Sequence, residues 1–271
     1  MTNNIHSTSI ISETAILGKN ITIGPFCIIG PMVELGDNIV IHSHVVIAGR
    51  TKIGNNNVIF PFASIGHAPQ DLKFQNEDSE VIIGENNVIR EYVTIQPGTA
   101  GDQLRTKIGN NCLLMVGTHI AHDCLVGNNV IFANMATLAG HVSIGDFTVL
   151  GGLSAVHQHV RIGEHVMVGG LTAVLRDVAP FAMVSSTDRA EINGLNLVGL
   201  RRRGFEKSDI YILQSAFNKI FFQSKKPISE AIQDVKLEHG ENNFVRQVIS
   251  FLEGETSRSF TTANYSKSTE E

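Results

Sequence analysis

Every sixth residue of this chain is apolar over about two thirds of its length. The series begins at Ile5 and runs through Ile11, Leu17, Ile23, Ile29, Leu35, Ile41, Ile47, Ile53 and Ile59 to Ile65. It resumes at Ile83, Ile89 and Ile95, then shifts by one residue and continues from Ile108 every six residues to Val174. All 26 positions are apolar, in a chain that is 42% hydrophobic. Chance agreement is on the order of one in billions, so the period is a structural instruction.

The other places in the hexad carry their own information. The residue after the apolar one is Gly in 13 of the 26 hexads, including Gly24, Gly54, Gly109 and Gly163. A Gly at a fixed offset implies a turn with positive φ or a close approach of backbone. The fifth place is small or β-branched, as at Ser9, Thr51, Ala63, Thr118, Ala136 and Thr172. Short strands joined by tight turns, with the first and fifth residues pointing inward, satisfy this pattern. Stacked hexads make a parallel β-helix with three hexads per triangular coil, so that residues 18 apart lie above one another.

The period breaks twice, at 66–81 and 98–107, and insertions into a solenoid loop out from one face, often the binding face. The expected division is a β-helix over 1–187, a helical domain over 188–253 and a disordered tail over 254–271. Helical spacing in LRRRGF, DIYILQSAFNKIFF, ISEAIQDVKL and FVRQVISFL supports the second unit from about Ile192, as a cap on the open end of the solenoid. The tail expectation rests on its Ser and Thr content.

Several function classes are disfavoured. A net charge of -5 does not suit a nucleic-acid binder. No apolar run approaches the roughly 18 residues of a membrane span. The polar N-terminus lacks the order of a signal peptide, so a cytoplasmic setting is expected. Three cysteines, Cys27, Cys112 and Cys124, are an odd number and argue against a disulfide framework. All three fall at the inward fifth place, which makes Cys124 a core residue rather than a nucleophile beside His122.

Histidines concentrate where chemistry is expected. His119, His122, His141, His157 and His159 lie within 41 residues of one another and off the inward places. Steps of 18 carry Asp123 to His141 and then to His159, so they gather on one strip of adjacent coils. His122-Asp123 offers a general base with a carboxylate to orient it. Neighbouring side chains on a strand point apart, so their contact depends on a local bend. Three histidines could instead hold zinc with an open position. Arg201-Arg202-Arg203, the one dense basic cluster, suits a diphosphate or a phosphopantetheine.

The run LLMVGTHIAHDCLVGNNVIFANMATLAGHVSIGDF resembles the UDP-N-acetylglucosamine O-acyltransferase family, which opens lipid A assembly. GPFCIIGP, SHVVIAG, QDLKF, AVHQ, VMVGG and GLNLVGLRRRGF are similar to it as well, in order, from about Ile5 to Glu253. The resemblance implies a left-handed parallel β-helix of hexapeptide repeats with a C-terminal α-helical domain, working as a homotrimer. It implies transfer of a 3-hydroxyacyl chain from acyl carrier protein to the 3-position of UDP-N-acetylglucosamine, with no acyl-enzyme. No metal or cofactor is implied, since the acyl group arrives on the carrier's phosphopantetheine. His122 resembles the general base, Asp123 its orienting partner, and the Gly140 N–H the oxyanion donor. Gln70, Asp71, Lys73, His119, His141, His157 and Gln158 resemble substrate contacts. Asn196, Arg202 and Arg203 resemble the group for the nucleotide end and carrier arm, and Gly170 the residue that sets acyl length. Gln96 and Val198 stand where other members have His and Glu, which leaves a 3-amino analogue of the sugar open as acceptor. The zinc-dependent hexapeptide-repeat carbonic anhydrases are a more remote resemblance, because their histidine spacing differs.

Overall fold

The computed structural model describes residues 2–186, 188–223 and 227–263. Short strands follow one another around a triangular prism, and those one turn apart, such as Thr22–Ile23, Val40–Ile41 and Val58–Ile59, stack in parallel. Three sheets of eleven, nine and eight strands form its faces, here called A, B and C in chain order. Within uninterrupted coils the partners are 18 residues apart, as Thr22↔Val40 and Ile131↔Val149. At the breaks the offset grows, with Val58↔Val88 and Val88↔Leu113. The extra residues loop out while the coil itself is kept.

The apolar series fills the prism. Ile41, Ile59, Ile89, Leu114 and Phe132 are at most 1% exposed and stack along face A from coil to coil. Burial of each such side chain contributes about 1.5–3 kcal/mol. Inward polar residues at the fifth place bond to backbone, as Asn57 does through Nδ2 to the carbonyls of Gly54 (2.7 Å) and Gly84 (2.8 Å). Burial pushes the Cys124 thiol up to about 12 and the Cys112 thiol up to about 11, consistent with packing roles.

The two requirements that could explain the periodic glycines separate in the structure. At the second place the need is space: a Cβ on Gly109 would lie 2.5 Å from the Gly127 carbonyl oxygen of the next coil. Gly66, where the first excursion departs, is the one second-place glycine with positive φ (79°) among the described residues; elsewhere positive φ falls mainly at the fourth place, on non-glycine residues such as Asn38 (58°), Phe62 (66°), Asp123 (58°) and His141 (63°). This left-handed residue turns most corners of the prism, a conformation uncommon for bulky side chains.

Several expected boundaries change. The excursions end earlier than expected, because face C has longer strands at Glu80–Ile83 and Arg105–Ile108 that alternate buried and outward residues. The loops are therefore 66–79 and 96–104. Ile192 begins no helix. Ala182–Ser185 adds to face A, and Glu191–Leu195 closes it as an antiparallel strand. The helices follow: α1 (Leu197–Arg202), α2 (Lys207–Asn218) continued by a π-helical turn at Lys219–Gln223, α3 (Ile228–His239) and α4 (Asn243–Glu253).

Residues 254–263, expected as the start of a disordered tail, instead strap the last coil. The Asp177 N–H donates to the Ser259 carbonyl at 3.0 Å, and the Thr261 N–H donates to the Asp177 carbonyl at 2.8 Å. Buried Asp177 also accepts from Thr256 Oγ1 (2.7 Å) and from Arg161 Nε (2.7 Å). The Thr256 hydroxyl thus satisfies a buried carboxylate and the strap's backbone pairs with that of Asp177, which the composition of the segment does not reveal. The remainder of the expected tail, 264–271, lies outside the described residues.

Candidate active site

Both excursions leave the prism at the same edge, between faces B and C. Loop 66–79 follows strand Ser64–Ile65, and loop 96–104 follows Thr94–Ile95. The histidine strip occupies this edge on the next three coils. His141 packs edge-to-face on His122 with ring centroids 4.9 Å apart, and stacks on His159 at 4.4 Å.

The left-handed corner supplies the bend that the His122-Asp123 pair requires. With Asp123 at φ 58°, its carboxylate turns back, and Oδ2 lies 2.9 Å from His122 Nδ1. The Asp123 side chain is fully buried. It accepts from the Thr99 N–H at 3.0 Å and from the Thr99 hydroxyl at 2.7 Å. Burial pushes this carboxyl up, but the hydrogen bonds from His122 and Thr99 outweigh it and hold the pKa below the usual carboxylate range. An anionic Asp123 favours the His122 tautomer with its proton on Nδ1, leaving Nε2 as the basic atom.

Gly140 lies directly beneath that ring. A Cβ there would come within 2.4 Å of His122 Cε1 and 2.6 Å of Nε2, so glycine makes room for the imidazole. The Gly140 N–H donates to no protein acceptor among the described residues. His119 faces outward from face B with Nδ1 2.6 Å from Thr94 Oγ1, and burial, then the nearby His122, lowers its pKa. His157 and Gln158 are exposed on the same edge.

Gln70, Asp71 and Lys73 belong to loop 66–79. The Gln70 N–H donates to Gln96 Oε1 at 3.1 Å, so Gln96, itself buried, braces the loop. The Lys73 N–H donates to Asp71 Oδ1 at 3.0 Å, and the Lys73 side chain is exposed.

The other expected site residues are elsewhere in the chain. Gly170 is exposed on the edge between faces A and B. Asn196 caps α1, accepting from the Gly199 N–H at 3.0 Å while its Nδ2 donates to the His165 carbonyl at 3.0 Å. Arg202 is exposed. Arg203 turns into the fold, where Nη2 donates to the Phe147 carbonyl at 2.7 Å and the guanidinium lies over the Phe147 ring. Asn196 and Arg203 thus have internal partners that the basic run RRR does not announce.

Three residues at the histidine edge were not visible in sequence. Thr99 holds Asp123, and Asp102 meets His141 Nδ1 at 2.9 Å through Oδ2. Arg258, from the strap, places Nη2 3.0 Å from His157 Nδ1 and donates through Nε to the Gln158 carbonyl at 3.1 Å. Each acts across 24 to 101 residues of chain, and none repeats with the hexad.

For a cation, His122, Asp123 and His141 offer ligand atoms within 4.8 Å of one another. Against that use, the Asp123 oxygens already accept from Thr99 and His122. The edge between A and B, where Gly170 lies, carries a ladder of exposed rings. Phe26–His44, His44–Phe62 and Phe62–Tyr92 have centroids 5.0, 5.0 and 5.1 Å apart. Exposed Met135, Leu153 and Leu171 extend it.

Residues 177–261 match a family model described as UDP N-acetylglucosamine O-acyltransferase, domain 2, and residues 105–140 match the bacterial transferase hexapeptide model. The acyl-[acyl-carrier-protein]--UDP-N-acetylglucosamine O-acyltransferase of Rickettsia felis is 56% identical over 258 residues, 95% of this chain and 97% of that protein. Among solved structures, LpxA from Acinetobacter baumannii is 43% identical with a TM-score of 0.91, covering 95% of this chain and 99% of its own. The UDP-N-acetylglucosamine acyltransferase of Campylobacter jejuni is 41% identical with a TM-score of 0.90, covering 96% and 100%.

Proposed function

The chain belongs to the UDP-N-acetylglucosamine O-acyltransferase family, and from that membership together with the site geometry we propose its reaction and mechanism. It is an acyltransferase that takes a 3-hydroxyacyl group from the thioester of acyl carrier protein. The acceptor is the 3-hydroxyl of UDP-N-acetylglucosamine, and the product opens lipid A biosynthesis.

The observation that carries the mechanism is the 2.9 Å contact between His122 Nδ1 and a buried, hydrogen-bonded Asp123. His122 Nε2 takes the proton as the sugar oxygen attacks the thioester carbonyl. The resulting oxyanion is met by the Gly140 N–H. Collapse breaks the C–S bond, and the imidazolium returns the proton to the departing sulfur. Acyl transfer is direct, so no acyl-enzyme forms, in keeping with the buried position and raised pKa of Cys124. Phosphopantetheine enters with the carrier, and the reaction needs no resident cofactor or metal.

Gly170, Asn196, Arg202 and Arg203 lie away from the histidine edge in one chain, so a complete site takes residues from a second copy. The exposed aromatic and aliphatic ladder between faces A and B supports a homotrimer, since an apolar patch of this kind marks an interface. Its substrates set the reaction in the cytoplasm. Among the described residues no helix is long and apolar enough to cross a membrane.

Mass spectrometry of products from a panel of 3-hydroxyacyl carriers tests the reading, with UDP-N-acetylglucosamine and its 3-amino analogue as acceptors. An ester from the first is expected. An amide from the second alone would reassign the acceptor, and no acylated sugar from either would end the proposal. His122→Ala should lower turnover by about 10²–10⁴-fold, and a variant keeping a tenth of wild-type turnover would remove His122 as base.

A further inference from the structure

The excursion 96–104 touches the histidine edge twice. Thr99 holds the carboxylate that serves His122. Three residues on, Asp102 Oδ2 lies 2.9 Å from His141 Nδ1, across 39 residues of chain. Asp123 Oδ2 is 3.9 Å from the same nitrogen, beyond hydrogen-bond reach. Each of the two packed imidazoles therefore has its own carboxylate. The corner itself provides one, and the loop delivers the other.

The His141 ring is also fixed in orientation. It stacks at 4.4 Å on His159 with an interplanar angle of 10°, and meets the edge of His122 at 89°. Its side chain is 14% exposed. Nε2 has no protein partner among the described residues, yet it is not among the polar atoms sealed from solvent. It is a polar atom left over for a ligand at the mouth of the site.

We propose that Asp102 is a positioning residue that accepts the His141 Nδ1–H and so presents Nε2 as a hydrogen-bond acceptor to a hydroxyl or amide N–H of the incoming substrate. The physical reason is tautomeric. A neutral imidazole carries one N–H, and a carboxylate beside Nδ1 keeps the proton there. Without it the proton moves freely to Nε2, which then offers a donor where an acceptor is required. Loop 96–104 is thereby a single device that sets both histidines, through Thr99 and Asp123 for one and Asp102 for the other. The assignment of the ligand as acyl-transfer substrate rests on the function proposed above, while the tautomer does not.

The test combines kinetics with histidine tautomers on the full chain. In ¹⁵N-histidine-labelled protein, the signal missing from His141→Ala identifies His141. Wild type should show the Nδ1–H tautomer, and Asp102→Ala should shift the population to Nε2–H. With turnover, Asp102→Ala should lower kcat/KM by about ten- to a hundredfold, the scale of a misplaced contact. Asp102→Asn should recover most of this, because its amide oxygen accepts the same N–H. Asp102→Ala/His141→Ala should be no slower than His141→Ala alone, since Asp102 acts through that ring. A wild-type Nε2–H tautomer, or losses that add in the double variant, would overturn the proposal. Should wild type fail to acylate any acceptor in the panel, the acyl-transfer reading falls and the tautomer measurement still decides the role of Asp102.

Discussion

Adding a single carbon to Gly140 should disarm the site and spare the fold. The alanine Cβ would lie 2.4 Å from His122 Cε1, 2.6 Å from Nε2 and 3.0 Å from Nδ1. Carbon contacts settle at about 3.5–4.0 Å, so the ring has to retreat by about 1 Å or more. That retreat breaks the 2.9 Å bond from Nδ1 to Asp123 and carries Nε2 away from the sugar hydroxyl. A misplacement of this size costs about 10²-fold in rate. The backbone tolerates the change, because Gly140 is outside the left-handed region and the obstacle is a movable side chain. The alanine N–H also remains, so the loss reports on the base and not on the oxyanion donor. Steady-state kcat and KM for carrier and sugar, with Tm measured alongside, give the answer. Turnover within threefold of wild type would refute the reasoning, since the ring either tolerates the methyl group or is not needed where it lies. A collapse in Tm would show that Gly140 serves the coil.

The adjacent arginines should behave differently from each other. Arg202→Ala should raise KM most at low salt, with the difference from wild type shrinking as salt screens the charge, and leave Tm unchanged, whereas Arg203→Ala should destabilise by about 1–3 kcal/mol by orphaning the half-buried carbonyl of Phe147; equal effects on KM and Tm would contradict this split. Burial, with Arg203 second, pushes His165 down to about 4. Its neutral form therefore supports the fold fully above about pH 6.5, and that support, about 3 kcal/mol, is lost as pH falls towards 4. Denaturant unfolding of His165→Leu should show a flatter dependence between pH 7 and 4 than wild type, and an unchanged slope would reject the assignment. Gly170→Met should shift preference towards shorter acyl chains, each excluded methylene costing about 0.8 kcal/mol. Its Cβ meets only the Gly152 backbone, with the carbonyl oxygen nearest at 3.2 Å, so kcat/KM across chain lengths reads selectivity rather than unfolding. An equal loss at all lengths would end the ruler role.

The architecture was legible in the sequence because a hexad is local. One residue faces the core, the fifth does so again, and a turn repeats between them, so six positions state the rule for every coil. The inward cysteines and the packed helices after the last coil followed from the same kind of reading. Composition misjudged residues 254–263, where Ser and Thr looked solvated but satisfy buried Asp177.

The site was legible only in part. The spacing of 18 brought His141 and His159 onto one edge with Asp123, but the pairing of His122 with Asp123 waited on a corner residue at φ 58°. That glycines solved a problem of space, while Asn, Asp, His and Phe took the left-handed corners, required seeing one coil laid on the next. Thr99, Asp102 and Arg258 obey no period, because loops and a terminal strap deliver them from far along the chain. Arg202 and Arg203 are chemically identical neighbours, and only the packing of α1 on the last coils gives one to solvent and the other to Phe147. Repetition determines what each residue does within its own coil. Contacts made by segments that leave the repeat depend on where those segments return, and that is decided by tertiary packing.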